Sequence, residues 1–149
     1  MSASTAPPEP ISRPEPPARF TILRPAELPA TDRGGGNKTI PLVSPRVGSQ
    51  QMLNGITVIA PRKAIGLHAH NCEESVIVLE GQGVVELDGA DHAVNTFDTT
   101  WVPAGVPHRF KNTSDAQPLR IFWTYASPGA TRTLIATGET HSIASEHGR

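Results

Sequence analysis

Apolar and polar residues alternate over short runs along most of this chain, and no stretch carries a helical period. Gln51 to Ile59 is rich in β-forming residues, and Pro61-Arg62 turns the chain out of it. Ala64 to His70 predicts the next strand. Glu74 to Glu80 is apolar on both faces through Val76-Ile77-Val78-Leu79, so both faces should be covered. Gly81-Gln82-Gly83 predicts a tight turn into Val84 to Leu87, and Asp88-Gly89 is a strong two-residue hairpin signal returning through His92-Ala93-Val94. Thr99 to Val102, His108 to Asn112, Pro118 to Tyr125 and Thr131 to Ala136 complete the strands. Many short strands with closely spaced turn signals predict an all-β fold, an antiparallel barrel or jelly roll.

The flanks read differently. Residues 1–32 are expected to form a Pro-rich, flexible N-terminal arm, because the repeated prolines cannot join central strands or helix interiors. Phe20-Thr21-Ile22-Leu23 is its sticky part, expected against the domain surface or a partner subunit. Asp32 to Lys38, with three consecutive glycines, predicts a flexible loop. A phosphate cradle is rejected there because a short strand, Thr39 to Val43, follows instead of a helix. The β domain is expected over residues 33–136 and a polar C-terminal tail over 137–149.

Composition narrows the function classes. The chain has 149 residues and a formal charge of −1, which gives no electrostatic case for nucleic acid or an anionic membrane. The single cysteine, Cys72, excludes an intrachain disulfide. No apolar stretch is long enough to span a bilayer as a helix, and the N-terminus lacks the pattern of a secretory signal, so a soluble cytoplasmic protein is expected.

The chemistry concentrates in His68-Ala69-His70-Asn71-Cys72-Glu73-Glu74. On a strand His68 and His70 share a face, about 7 Å apart along the chain, and strand curvature lets both reach one ion. A lone histidine is more often a hydrogen-bonded or surface imidazole than a ligand. Glu74 can add a carboxylate where the chain re-enters the sheet, with Glu73 as the substitute. Imidazole with carboxylate suits divalent iron, manganese, nickel, cobalt, copper or zinc.

A second segment changes those odds. His68-x-His70, Glu74 and Gly81 resemble the first motif of the cupin superfamily, and Pro103, Gly105, His108 and Asn112 resemble the second. The leading glycine of each motif is missing, with Arg62 and Phe97 standing there. Those glycines serve turns and not metal binding, so the departures bear on loop shape. The resemblance covers roughly residues 51–125 and implies a small single-domain metal-binding cupin. It implies His68, His70, Glu74 and His108 as ligands of one divalent ion per chain, Fe(II) or Mn(II) ahead of Ni(II), Zn(II), Co(II) or Cu(II). Three neutral imidazoles and one carboxylate would leave that ion with a net positive charge and open positions.

The expected function is therefore a metal-dependent enzyme acting on a small anionic or enolisable molecule, a mononuclear non-haem dioxygenase ahead of an isomerase, decarboxylase or lyase. A non-catalytic ligand-binding cupin is the competing reading. Small cupins are often dimers, so the resemblance implies a homodimer, which the two-sided apolar strands and the short chain fit. Phe110 shares the face of His108 and is expected to wall the pocket. Trp123 and Tyr125, on one strand face with Ile121, line either core or pocket. Met52 is expected in the core and is a candidate substrate contact. Arg109 should point outward into a salt bridge, Cys72 should be an inert thiol, and His92, His141 and His147 should be surface residues. No general base is identifiable.

Overall fold

The structure, a computed structural model, describes residues 20–146. Twelve strands run in chain order: β1 (Thr31–Gly34), β2 (Asn37–Pro41), β3 (Leu53–Ile59), β4 (His68–His70), β5 (Glu74–Glu80), β6 (Gly83–Leu87), β7 (Ala90–Val94), β8 (Thr99–Val102), β9 (His108–Lys111), β10 (Leu119–Tyr125), β11 (Thr131–Leu134) and β12 (Thr140–Ser142). Short 3-10 turns occupy Pro25–Glu27 and Pro45–Val47, and one helical turn, α1 (Ile143–Glu146), ends the described chain. The strands form two six-stranded sheets, ordered β1-β2-β3-β10-β5-β8 and β12-β11-β4-β9-β6-β7. Every ladder is antiparallel, as the alternation and turn signals predict for a jelly roll.

The inner faces follow from the period-two pattern. Along β10, Leu119, Ile121, Trp123 and Tyr125 are buried while the residues between them are half-buried. They meet Val76 and Val78 of β5 within the same sheet, and Val85 and Phe110 belong to the same cluster from the other sheet. Leu53, Ile59 and Leu119 have no exposed surface, and each such side chain contributes roughly 1.5–3 kcal/mol by leaving water. The Asp88-Gly89 hairpin joins β6 to β7 with both turn residues at positive φ, 48° and 86°, the twist that two-residue hairpins require.

Three segments differ from expectation. Asp32 to Lys38 is a hairpin, not a flexible loop: Gly35 and Gly36 take φ of 62° and 91°, and Asp32 Oδ1 accepts from Gly34 N at 2.8 Å, closing β1 onto β2. Only His68–His70 of the expected Ala64–His70 strand joins a sheet, with Ala64 making an isolated bridge to Lys111. Residues 140–146, expected within a polar tail, add β12 to β11 and bury Ile143 to 1% exposure. One apolar residue in a polar segment gives no periodic signal, which is why the sequence hides this contact. The arm expected over residues 1–32 falls largely outside the described residues. Of its sticky part, Phe20 and Ile22 are exposed at 94% and 68% and do not pack on the domain.

The motif residues that do not face the imidazoles shape turns at the opposite strand ends. Asn112 is buried, donates from Nδ2 to the carbonyls of Ile59 and Gln117 at 3.0 and 2.8 Å, and accepts from Ser114 N at 3.0 Å. Gly81, at φ 88°, lies so close to the Pro118 carbonyl that a Cβ would stand 2.5 Å from its oxygen. Arg62 and Phe97, which replace the leading glycines, hold the left-handed conformation a glycine would take, at φ 62° and 74°. The turns keep their shape although the residue has changed, at a cost of about 1–2 kcal/mol each. Phe97 is 75% exposed, so replacing it loses little packing. Phe97→Gly is expected to raise the urea unfolding free energy by about 0.5 kcal/mol, the strain relieved less the added freedom of the unfolded glycine. A fall in stability would contradict that strain.

Candidate metal centre

The two sheets divide the site between them. β4 and β9 are paired through His68 and His108, so the sheet β12-β11-β4-β9-β6-β7 supplies three imidazoles. After His70 the chain crosses to the other sheet and begins β5 at Glu74, which pairs with Tyr125 of β10. The loop before His108 is tied to β4 by a hydrogen bond from Gly105 N to the His70 carbonyl at 2.9 Å. All four side chains are at least 95% buried, with exposures of 4% for His68, 4% for His70, 5% for Glu74 and 1% for His108.

Each ring is oriented by a backbone carbonyl. Nδ1 of His68 donates to Gly66 at 2.6 Å, that of His70 to Thr131 at 2.9 Å and that of His108 to Val106 at 2.9 Å. A carbonyl oxygen can only accept, so the proton of each neutral ring sits on Nδ1 and the lone pair on Nε2. The ring centroids lie 4.4 to 5.0 Å apart, and one ligand atom from each ring falls within 4.8 Å of the others. Glu74 Oε1 is 2.9 Å from His108 Nε2 and 3.4 Å from His70 Nε2. His70 Nε2 is buried and lacks any hydrogen-bond partner.

That arrangement suits a cation. Lone pairs of neutral imidazoles facing a carboxylate oxygen at these distances repel unless a proton or a metal ion stands among them. A divalent ion satisfies all the facing atoms at once, and the carbonyls behind the rings are the outer partners that metal-bound histidines ordinarily have. The donor set therefore fits a metal, and the three histidines could hold one.

Electrostatics agree with the burial. Burial, then the charge of Arg132, hold His68 at about 2 against the usual 6.5. Burial would raise the Glu74 carboxyl, but the close approach of His108 and His70 at 2.9 and 3.4 Å, where a proton or an ion shared with Nε2 favours the carboxylate, brings it to about 2 from 4.5. Burial, then the Glu74 charge, raises Tyr125 well above 10, so its phenol keeps its proton. Tyr125 also meets the His70 ring edge at 4.6 Å between centroids.

Phe110, Trp123 and Tyr125 all line the chamber over the imidazoles, with Val76, Ile121 and Thr57. Trp123 Nε1 donates to Thr57 Oγ1 at 2.8 Å, which fixes the indole. Met52 is a correction: it is 45% exposed and lies outside this lining, at a turn where its carbonyl accepts from Ser49 Oγ at 2.6 Å. Glu73 points outward and accepts from Trp101 Nε1 at 2.9 Å, so Glu74 alone of the pair faces the rings. Arg109 points outward to Glu86 at 3.0 Å, as alternation predicts. Cys72 is half-buried, and burial pushes its thiol up, away from reactivity. His92 and His141 are exposed, and His147 lies outside the described residues.

Sequence reasoning missed Arg132 and Thr57. Arg132 on β11 stands directly opposite His70, so the two side chains share the inner face. The free space over the imidazoles is about 20 Å³, room for about one water. It adjoins a cavity of about 130 Å³ through the shared residues Thr57, Ile65 and Arg132.

The low value of His68 has a testable consequence. Below about 6.5 the unfolded chain binds a proton at this residue that the folded metal-free protein refuses until about 2. Stability is therefore present above 6.5 and lost as pH falls. Metal-free protein is expected to lose about 2 kcal/mol between pH 6.5 and 5 through this one group. His68→Gln should flatten the dependence in urea titrations; an unchanged slope would refute a neutral buried His68.

Comparisons with known proteins agree with this geometry. The family described as Cupin domain matches residues 55–125. Protein SchB of Streptomyces halstedii is 32% identical over 97 residues, covering 64% of this chain and 70% of the relative. The polyketide synthase CurC of Streptomyces cyaneus is 30% identical over 117 residues, covering 78% of this chain and 74% of the relative. Among solved structures, the polyketide cyclase RemF of Streptomyces resistomycificus superposes with a TM-score of 0.69 at 17% identity, over 84% of this chain and 86% of that one, a likeness of fold. With both motifs in place and their histidines gathered between the two sheets, the chain belongs to the cupin superfamily.

Proposed function

We propose that this chain is a metal-dependent cupin enzyme that acts on an enolisable polyketide-type molecule and promotes its cyclisation, with His68, His70, His108 and Glu74 as the metal ligands. The observation that carries this reading is the meeting of three carbonyl-oriented imidazoles with one carboxylate in a buried chamber. The naming of CurC as a polyketide synthase and of RemF as a polyketide cyclase supports the substrate class. The mixed nitrogen and oxygen donor set suits Fe(II), Mn(II) or Zn(II). A divalent ion held there supplies Lewis acidity, the positive charge that favours an enolate over its ketone.

The other residues divide the remaining tasks. Phe110, Ile121 and Trp123 wall the chamber with apolar surface and exclude water from the reacting end. Tyr125 keeps its proton and offers a hydrogen-bond donor beside Glu74. Thr57 holds the Trp123 ring in one orientation.

A mononuclear non-haem dioxygenase is the second reading, favoured by the small space over the imidazoles, about 20 Å³, which suits a diatomic molecule better than a large substrate group. Oxygen uptake separates the two. Under the first reading, the metal-loaded protein converts a poly-β-ketone to a cyclised product anaerobically, without oxygen consumption. Strict dependence on dioxygen would overturn it in favour of the second.

Tyr125→Phe is expected to lower turnover by about 100-fold while metal content stays at that of the parent protein. His108→Ala is expected to lose both metal and activity. Full activity in Tyr125→Phe would remove the phenol from the reaction, and full activity in metal-free protein would remove the metal.

A further inference from the structure

Arg132 is a charged side chain that neither cupin motif uses. Its register opposite His70 turns it inward, and it lines both the chamber over the imidazoles and the adjoining cavity of about 130 Å³. Its Nε is buried with no hydrogen-bond partner. Its ion-pair partner is Glu146, at 3.7 Å from Nη2, and that carboxylate is shared. Arg33 Nη2 lies closer to the same oxygen, at 3.1 Å, and Arg33 Nη1 donates to the Glu146 carbonyl at 3.3 Å. Arg33 also lines the cavity. Two guanidinium groups therefore share one carboxylate, and Arg33 holds it more tightly. Among these three groups one positive charge is left over, at the wall of a polar cavity that adjoins the imidazole chamber, where the Tyr125 hydroxyl meets both Arg132 and Glu74.

We propose that Arg132 is an anion subsite, taking a carboxylate or phenolate oxygen of the substrate in this cavity while the rest of the molecule extends toward the imidazoles. Guanidinium suits such oxygens because its planar fork presents parallel N–H donors. An anion entering the cavity meets the exposed part of the guanidinium, while Nε stays enclosed, and Glu146 is the internal competitor. Glu146 lies at the end of α1, four residues long and tied to the domain by Ile143, whose N donates to the Ala130 carbonyl at 2.9 Å. The subsite deepens the reading of an enolisable substrate and rests on it for what reacts at the metal end. It selects acidic substrates over their neutral esters or amides.

The test uses the full chain, metal-free and metal-loaded, titrated with benzoate and with benzamide as its neutral counterpart, followed by NMR at the Arg132 Nε–Hε resonance. Benzoate is expected to bind at least tenfold tighter than benzamide in both forms and to shift that resonance. Arg132→Met should abolish the discrimination without changing metal content. Glu146→Gln should tighten benzoate several-fold and leave benzamide unchanged, which tests the idea even where Arg132→Met fails to fold. Equal binding of the two probes, discrimination that survives Arg132→Met, or unchanged benzoate affinity in Glu146→Gln would overturn the proposal. Arg132-dependent benzoate binding without turnover of any β-ketone would sink the enzymatic reading and leave the subsite standing. Turnover without benzoate discrimination would do the reverse.

Discussion

Three backbone carbonyls decide what this protein can do. Gly66, Thr131 and Val106 each accept the Nδ1 proton of one imidazole, and so turn three Nε2 lone pairs toward the Glu74 carboxylate. The rings come from one sheet and the carboxylate from the other, so the site exists only when the sheets pack. The constraint runs both ways. Converging lone pairs and a carboxylate repel in a buried space, and a cation among them relieves that repulsion. A buried ion also costs desolvation, which the ring of fixed donors offsets. A metal held there would link its own binding to folding through the same atoms.

Turns at both ends of the strands hold the sheets in register. Asn112 fastens the segments around Ile59, Ser114 and Gln117, and Gly105 ties the loop before His108 to His70. Gly81 lets the start of β6 pass close under Pro118. Arg62 and Phe97 show that the left-handed turns matter more than the residue that fills them, since both tolerate a conformation that disfavours a Cβ.

How much of this the sequence discloses depends on the range of the interaction. Period-two alternation made β9 and β10 legible, because burial on one face leaves a mark at every second residue, while β5 was legible as an apolar run whose second face is only half-buried. The two histidine motifs were legible because their spacing is local, and the choice of Glu74 over Glu73 followed from which one begins an apolar strand. Arg132 was illegible: its place opposite His70 comes from a pairing between β4 and β11, about sixty residues apart in the chain, and nothing near it in sequence marks that pairing. Ile143 and the hairpin across Gly34–Gly36 escaped for a related reason, since one buried contact or one turn in a polar segment leaves no period. Met52 failed in the other direction: an apolar residue next to a strand is not thereby in the core.

Charge arrangement connects the centre to its surroundings. Arg132 sits between the imidazoles and Glu146, adds to burial in lowering the His68 pKa, and places a positive charge at the cavity wall. All of this presupposes that the imidazoles meet around one ion. X-ray absorption at the metal edge of protein loaded with one equivalent of Co(II) measures that directly. The expected spectrum shows nitrogen and oxygen donors with the outer-shell scattering of three imidazole rings, falling to two rings in His70→Ala. A bound metal without imidazole scattering, or a spectrum indifferent to His70→Ala, would contradict the account.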